Sequence, residues 1–347
     1  MPRKGMFKRI FIWYQKGKFS VRVMKAWLAA RLRGEQLTVI LRMSGLGDVL
    51  WCAPLARQIK ELNPRASVLL MAYRPFQELV KPERCAGFDY VAGMYPLTDP
   101  PSRLIKFLAK RDVKILRPLC WNEQGIAGEE IHLLTEFQKS LGLPHVLSQP
   151  YISITEREKT KALRQFDIRR DQFAIILHTG RTWAVRELEE QVWQELVDRI
   201  NREMDCRILH ICYPRKEITG TTSPFSLRGV ENIPLNHTLP EIAALISVCQ
   251  LFIGIDSGLM HIAGTVKTPV IGIFGSTKPE LRLPVEGKAL GISQKQPCSY
   301  CQHYSPLQHW RTSCPHGIKC LKELSAEYIY TRLRPFLTEL KINFKSR

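Results

Sequence analysis

Short apolar runs alternate with amphipathic stretches along most of this chain, and each change of pattern predicts a change of element. Apolar runs bounded by polar residues or glycine predict buried strands, and apolar positions three and four apart predict helices. The predicted strands are 37–41, 68–72, 88–91, 113–116, 173–177, 207–211, 251–253 and 269–274. The predicted helices are 49–62, 103–110, 129–141, 155–165, 189–203, 239–248, 259–263 and 324–340. This alternation predicts an α/β fold with parallel sheets.

The strand-and-helix pattern starts a second time after a proline-containing segment, 144–150, which indicates a linker. A chain of 347 residues is long enough for two domains of ordinary size. We therefore predict two Rossmann-like domains facing a cleft, an N-terminal one over 36–150 and a C-terminal one over 151–323. Segments 1–35 and 324–347 are predicted as a separate arm and a separate final helix.

The segment Leu251 to Pro279 organises the second half. Its two apolar runs flank a polar corner, Asp256-Ser257-Gly258, and a short amphipathic stretch that carries His261. In open α/β sheets, ligands bind where strands end and helices begin, and a helix N-terminus suits an anion. The other interpretation is an ordinary strand-to-helix turn in which Asp256 caps the helix.

A comparable corner follows the strand at 37–41. Ser44-Gly45-Leu46-Gly47 lacks the third glycine of the dinucleotide fingerprint and the Lys-Ser/Thr of a P-loop. Its two glycines allow a ligand to approach the backbone, and they place Asp48 at the start of a helix, where it is either functional or a helix cap. After the strand at 173–177, hydroxyl, N–H and guanidinium groups that suit phosphate come from Thr179, Gly180, Arg181 and Thr182.

The charge of the chain is strongly positive, +19 with a pI near 9.6, which predicts an anionic partner. The first 34 residues contain ten Lys and Arg side chains and no acidic one, interleaved with aromatics such as Trp13 and Tyr14. This pattern suits the headgroups of an anionic bilayer, and we expect a cytoplasmic protein, peripheral on the inner membrane face. Alternatively, the arm packs on its own fold. No apolar run approaches the length of a spanning helix, and no signal peptide is visible. Nucleic acid is not an expected partner, because recognition helices, zinc-finger spacing and RNA-binding motifs are missing.

Three motifs together resemble a known family. They are SGLGDVLWCAPLARQIKELNP from Ser44, HTGRTW from His178 with Trp193 ten residues further on, and IDSGLMHIAGTVKTPVIGIFGSTKP from Ile255. The chain resembles the ADP-heptose:lipopolysaccharide heptosyltransferases, glycosyltransferase family nine, from about Leu37 to Leu333.

The resemblance implies a GT-B fold whose first domain binds the acceptor and whose second domain binds the nucleotide-sugar. It implies inverting chemistry without a covalent intermediate or a catalytic metal, and a last helix that crosses back to the first domain. Asp48 matches the family's general base, with Ser44, Gly45 and Gly47 as the acceptor-side loop. The implied donor-binding residues are Thr179, Gly180, Arg181, Thr182, Asp256, Ser257, Gly258 and His261. Where the family has Lys-x-Trp-Pro, this chain has Arg186 to supply the charge, which leaves the identity of the sugar open.

Four of the ten cysteines form a C-x2-C-x12-C-x5-C cluster: Cys298, Cys301, Cys314 and Cys320. Four thiolates can hold one structural Zn or Fe, and otherwise the reduced thiols pack the tail on the second domain. By resemblance, such a metal finger occurs in the branch of the family that modifies proteins, so a protein acceptor stays open. The other six cysteines are predicted to be small core residues.

These features predict an inverting glycosyltransferase that moves heptose from ADP-heptose to an anionic, lipid-linked inner-core (Kdo/heptose) acceptor of lipopolysaccharide. The base is Asp48, and no cofactor is required for catalysis. The alternatives are transfer of another sugar, transfer to a protein, and, from a different class, a GT-B-like binding protein without catalysis.

Overall fold

The computed structural model describes residues 3–95, 99–124, 129–180, 184–212, 225–234, 236–304 and 314–345. The chain forms two compact units. The first contains residues up to 119 together with 134–153, and the second contains 120–133 together with everything from 154 onwards. The transition after 153 lies close to the predicted linker. The assignment of 120–133 to the second unit has no counterpart in the sequence pattern, because it follows from contacts between distant parts of the chain.

The first unit contains a four-stranded parallel sheet with the order β3-β2-β1-β4. The strands are β1 (Gln36–Leu41), β2 (Ala66–Tyr73), β3 (Tyr90–Met94) and β4 (Lys114–Leu116). Helices are α1 (Arg3–Leu32), α2 (Leu46–Leu62), α3 (Ser102–Ala109) and, beginning at the boundary between the units, α5 (Leu133–Leu141). The strands β1 and β2 are almost completely buried, which explains why they are continuous apolar runs in the sequence.

The second unit contains a six-stranded parallel sheet with the order β10-β9-β8-β5-β6-β7. Its strands are β5 (Ala174–Gly180), β6 (Arg207–Cys212), β7 (Glu231–Asn232), β8 (Leu251–Ile255), β9 (Val270–Phe274) and β10 (Ala289–Ser293). Helices are α4 (Trp121–Gln124), α6 (Glu156–Gln165), α7 (Glu190–Glu203), α8 (Leu239–Val248), α9 (Gly258–Thr265), α10 (Cys301–Tyr304), α11 (Lys319–Lys322) and α12 (Ala326–Lys345). Counted from β5, this is the 3-2-1-4-5-6 order of a Rossmann sheet, so the predicted α/β class with Rossmann-like sheets is confirmed. The short strands β7 and β10 were not predicted.

The basic N-terminal segment is a 30-residue helix that belongs to the first unit. Its residues Phe19, Val23, Ala26 and Ala30 are buried in one core cluster with residues of β1, β2 and β3. Their spacing of three and four places them on one helix face. The segment is therefore part of a domain rather than a separate arm, because its second half completes the cover of a sheet.

The last helix, α12, belongs to the second unit, where it packs against α7 and β10. Its residues Ile329, Leu333 and Leu337 are buried in the same core as the sheet of that unit. The sequence-based prediction placed this helix on the first domain, and the structure corrects that placement. Pro335 lies inside the helix and does not end it.

No helix in the described ranges is both long enough and apolar enough to span a bilayer.

Candidate functional site

The glycine-containing loop after β1 positions Asp48 in the first turn of α2. Gly45 is the N-cap of the helix and has a φ of 77°, which is the left-handed region that favours glycine. A Cβ at Gly45 would lie 2.2 Å from Asp48 Oδ2, so only glycine leaves room for this carboxylate to fold back over the loop. Ser44 and Gly45 are exposed, whereas Gly47 is buried.

The carboxylate of Asp48 forms an ion pair with Arg42, and the N-cap of α2 has no side-chain hydrogen bond. The interpretation of Asp48 as a helix cap is therefore wrong. Arg42 is buried and also donates to the carbonyl oxygen of Pro118 at 3.1 Å, and its guanidinium lies 5.3 Å from the ring centre of Phe137. Held on these sides, Arg42 fixes the direction of the Asp48 carboxylate, whose side chain stays 25% exposed. The sequence analysis did not single out Arg42.

In the second unit, the turn between β8 and α9 brings Asp256, Ser257 and Gly258 to the carboxyl edge of the sheet. The Ser257 hydroxyl caps α9, because it accepts a hydrogen bond from the N–H of Met260 at 3.4 Å. Gly258 is the first residue of that helix. Asp256 is not the cap, contrary to the second interpretation of this turn, and its side chain lies in the interior.

Asp256 is the centre of a buried charge cluster. Its Oδ2 lies 3.3 Å from Arg186 and accepts a hydrogen bond from the Thr277 hydroxyl at 2.8 Å. Burial alone would raise the pKa of Asp256, but Arg186, His261 and Arg282, with the Thr277 hydrogen bond, outweigh burial and lower this pKa. The carboxylate is therefore ionised and holds the surrounding groups in place.

Histidines and cations from separate segments surround this carboxylate. His132, from the segment 129–132, lies near both His261 and Arg282, and its Nε2 is 3.3 Å from the carbonyl oxygen of Leu283. Burial, with smaller contributions from Arg282 and His261, lowers the pKa of His132 to about 3, so this ring is neutral at pH 7. The predicted residues Arg186, Asp256 and His261 are thus brought together.

Thr179 does not join this cluster. It is completely buried at the end of β5, with its hydroxyl 3.0 Å from His210 Nε2, and His210 Nδ1 lies 2.8 Å from Asn232 Oδ1. With the His210 Nδ1–H donated to Asn232, the Thr179 hydroxyl donates to Nε2 and has no hydrogen left for phosphate. Thr179 therefore fastens β5 to β6 through its side chain, and its contact with the donor stays a prediction.

Gly180, next to Thr179, has a φ of 87°, and a Cβ there would lie 2.2 Å from Ile255 Cδ1. Glycine is therefore needed where β5 passes β8. The predicted donor ligands Arg181 and Thr182 lie outside the described residues.

Several polar residues around the Asp256 turn were missed by the sequence analysis. Lys278 forms an ion pair with Glu130, and its backbone N–H donates to His303 Nε2 at 3.1 Å. Gln302 Oε1 accepts a hydrogen bond from Arg186 at 3.2 Å. Thr277 and Lys278 are within the segment 251–279 that the sequence analysis emphasised, so their position after a predicted strand could have identified them. His303 and Gln302 could not be found, because they reach the turn only through tertiary contacts.

The four clustered cysteines lie close to one another. Burial, with smaller contributions from the neighbouring thiols of Cys301, Cys298 and Cys314, raises the pKa of Cys320 to about 12. Across the described parts of the chain, however, no group of three or more His, Cys, Asp or Glu side chains is arranged to hold a metal ion. The six other cysteines are buried except Cys206, which is partly exposed, so the prediction of core residues is confirmed for five of them.

Comparison with known proteins places these features in a family. The sequence model of glycosyltransferase family 9 (heptosyltransferase) matches residues 128–310, more than half of the 347 residues. Lipopolysaccharide heptosyltransferase 3 of Escherichia coli (strain K12) is 28% identical over 144 residues, which cover 40% of this chain and 41% of that relative. The chain thus matches less than half the length of this curated relative.

Solved structures show the same fold. A glycosyltransferase of family 9 from Veillonella parvula has a TM-score of 0.65 at 13% identity, covering 88% of this chain and 97% of that one. The dodecameric, iron-containing heptosyltransferase TibC from enterotoxigenic E. coli, solved also in complex with ADP-D-beta-D-heptose, has a TM-score of 0.65 at 13% identity, covering 88% and 77%. The fold is therefore of the GT-B type.

Proposed function

The chain belongs to glycosyltransferase family 9, and from that premise we propose that it is an inverting heptosyltransferase. The observation that carries the proposal is the turn after β8. Asp256 there holds Arg186 at 3.3 Å, with His261 and Arg282 close by, beside the N-terminus of α9. Guanidinium groups and free helix N–H groups are what a diphosphate requires. In this proposal, the turn binds the diphosphate of the donor and stabilises its negative charge as it leaves.

Asp48 acts as the general base in the proposed reaction. Its carboxylate accepts the proton of an acceptor hydroxyl while the hydroxyl oxygen forms a bond to the anomeric carbon of the donor sugar. The bond between that carbon and the diphosphate oxygen breaks, and the nucleoside diphosphate leaves with the electron pair. Attack from the face opposite the leaving group inverts the anomeric centre. The buried Arg42 supports this role by fixing the direction of the carboxylate.

ADP-heptose is the proposed donor. Support comes from the family, from relatives named as heptosyltransferases, and from the TibC complex with an ADP-heptose. The test is release of the nucleoside diphosphate from ADP-heptose, ADP-glucose and UDP-glucose, each with a truncated lipopolysaccharide acceptor. We expect turnover with ADP-heptose only. Faster turnover with another nucleotide-sugar would favour the alternative in which Arg186, in place of the family's Lys, selects a different sugar. Binding of a donor without turnover would favour the alternative of a binding protein without catalysis.

The proposed acceptor is an anionic, lipid-linked inner-core oligosaccharide of lipopolysaccharide, reached from the cytoplasmic face of the inner membrane. Helix α1 supports this location. One face of its second half is buried in the first unit, and its outer side exposes Trp13 (78%), Tyr14 (50%) and Leu28 (50%). Lys18 and Lys25 are also exposed on this helix. Aromatic, aliphatic and cationic side chains together suit the boundary between headgroups and acyl chains.

We expect the protein to sediment with vesicles that contain phosphatidylglycerol and not with pure phosphatidylcholine vesicles. Reversing two charges, Lys18→Glu with Lys25→Glu, should weaken this binding at least about 30-fold, since each basic residue near an anionic surface contributes about 1 kcal/mol and reversal adds repulsion. The matched control reverses Arg157 and Arg164, two exposed basic residues of α6. An equal loss of vesicle binding in the α1 and α6 double variants would show that net charge, and not α1, governs binding. No vesicle binding by the wild type would contradict the membrane proposal.

We also propose a structural metal at the cysteine cluster. Burial and the neighbouring thiols raise the pKa of Cys301 and of Cys320, and a bound cation would relieve the repulsion between the thiolates. The described positions do not themselves form a ligand set, so binding would require the thiols to move together. Cys298, Cys301, Cys314 and Cys320 would then hold Zn or Fe in a closed site that stiffens the tail and takes no part in the reaction.

Elemental analysis of the purified protein tests the metal proposal. We expect about one equivalent of Zn or Fe per chain, because four thiolates make one closed tetrahedral site. Cys301→Ser should remove most of it. Cys85→Ser is the control, since Cys85 is buried elsewhere as a core residue. Much less than one equivalent in the wild type, with all cysteines reactive after denaturation, would instead support reduced thiols.

A further inference from the structure

The segment that contains the first cysteine pair also touches the donor-binding turn. We name residues 296–304 the cysteine strap. Gln302 donates its backbone N–H to the carbonyl oxygen of Ser276 at 3.0 Å. The next residue, His303, accepts the N–H of Lys278 at 3.1 Å through Nε2. Two successive strap residues therefore hold the residues on either side of Thr277, whose hydroxyl donates to Asp256.

The strap also contacts the cation that pairs with Asp256. Gln302 Oε1 accepts a hydrogen bond from Arg186 Nη2 at 3.2 Å. The same guanidinium donates from Nη1 to the Asp256 carbonyl oxygen at 3.3 Å and lies 3.3 Å from the Asp256 carboxylate. The Gln302 amide thus supplies one of several contacts that fix the plane of the guanidinium. That plane matters, because a guanidinium binds phosphate oxygens through a rigid fork of donors.

The rest of the cysteine-containing tail presses on the same loop. Gly275 precedes the loop, and a Cβ there would lie 2.6 Å from Leu321 Cγ and 3.0 Å from Cys320 Sγ. Leu321 and Cys320 belong to the core of the second unit. His303 is 2% exposed and lies near Asp256, Arg282 and Glu130. The strap therefore packs directly against the turn and is anchored in the core of the second unit.

We propose that Gln302 is a positioning residue for the donor: it orients Arg186, while the strap backbone and His303 fix the loop 276–278 for contact with the diphosphate. This inference rests on the proposed function, since it takes the Asp256 turn as the place where the donor diphosphate binds. It assigns the cysteine cluster an indirect role, because the cluster shapes the segment that carries Gln302.

ADP binding, measured by calorimetry, tests the role of Gln302. We expect Gln302→Leu to weaken ADP binding about tenfold, which is the typical loss when a hydrogen bond to a charged group is removed. The donor KM should rise by a similar factor, and the acceptor KM should stay unchanged. The matched control is Gln296→Leu, which removes the same side chain from the same strap, where it binds Glu323 instead of Arg186.

A double-mutant cycle with Arg186→Met shows whether Gln302 acts through Arg186. In the Arg186→Met background, Gln302→Leu should change ADP affinity less than about twofold, since the group that it orients is missing. A full tenfold loss in both backgrounds, or wild-type affinity in Gln302→Leu alone, would overturn the positioning role. Should Gln302→Leu fail to fold, Gln302→Asn withdraws the amide by one methylene and carries the same expectation. A wild type that does not bind ADP would overturn the proposed function, and the positioning role with it.

Discussion

Replacing Asp48 with Asn should lower kcat by about 10²- to 10⁴-fold, the usual contribution of a positioned general base. Asn is nearly isosteric, so it fits the space that Gly45 leaves open beneath the side chain. It cannot accept the proton of the acceptor hydroxyl, and it removes the negative charge that pairs with Arg42. ADP binding should be unchanged, because the proposed donor contacts are in the other unit.

The control for this variant is Asp112→Asn. Asp112 is exposed and has a φ of 57°, a conformation that Asn adopts as readily as Asp. It should therefore fold and turn over like the wild type. A variant Asp48→Asn that keeps more than a tenth of the wild-type kcat would exclude Asp48 as the base. The structure would then leave it only the structural role of a partner for Arg42.

Replacing Arg186 with Met should lower kcat/KM for the nucleotide-sugar by about 10²- to 10³-fold, the usual effect in enzymes of removing a hydrogen-bond donor that stabilises developing negative charge. It should also destabilise the second unit by about 3 kcal/mol, because the buried Asp256 carboxylate would lose the cation that stabilises its charge most. The side chain of Asp256 is only 4% exposed, so water cannot replace the guanidinium. Arg186→Lys keeps the charge but loses the planar set of guanidinium donors. Its kcat/KM should lie between that of Arg186→Met and that of the wild type.

The double variant Arg186→Met with Asp256→Asn separates the two effects. Removing the buried charge should restore much of the thermal stability, since no unpaired carboxylate is left in the interior. ADP binding should stay weak, because the cation proposed to bind the phosphate is still missing. Recovery of ADP binding in the double variant would show that Arg186 serves only the stability of the turn. Unfolding curves and ADP calorimetry on the same samples measure both quantities.

The sequence predicted the sheets well because parallel strands buried on both faces are continuous apolar runs. The strands β1, β2, β4, β6, β8 and β9 were found within two residues at each end, and β5 extends three residues beyond its predicted end. The strand β7 has two exposed residues, and β10 is only half buried, so neither produces such a run. Helix α1 was predicted to be a membrane-associating arm because of its many basic residues. The apolar residues that face the sheet lie between these basic residues in the sequence and were not recognised as one buried face.

The candidate site was predictable only in part. Residues placed by the local strand-to-helix pattern could be predicted, and residues placed by contacts between distant segments could not. Asp256 follows a strand directly, and Asp48 and His261 lie in the first two turns of helices that come after strands, so the edge of a parallel sheet predicts their positions. Thr179 also follows a strand, yet its hydroxyl is used between strands, which spacing cannot reveal. Arg282 and Gln302 enter through contacts across the fold, whereas Arg42 directly follows β1 and was overlooked although its partner Asp48 is six residues away.

Transfer to a defined acceptor tests the central claim most directly. The purified full chain is incubated with ADP-heptose and a set of lipopolysaccharide acceptors truncated at successive inner-core sugars, and ADP release is followed together with the mass of each acceptor. We predict that one truncated acceptor gains a single heptosyl residue in step with ADP release, and that Asp48→Asn abolishes both signals. ADP release without a mass gain on any core acceptor, or no release at all, would contradict the assignment of this chain as a heptosyltransferase of the lipopolysaccharide inner core.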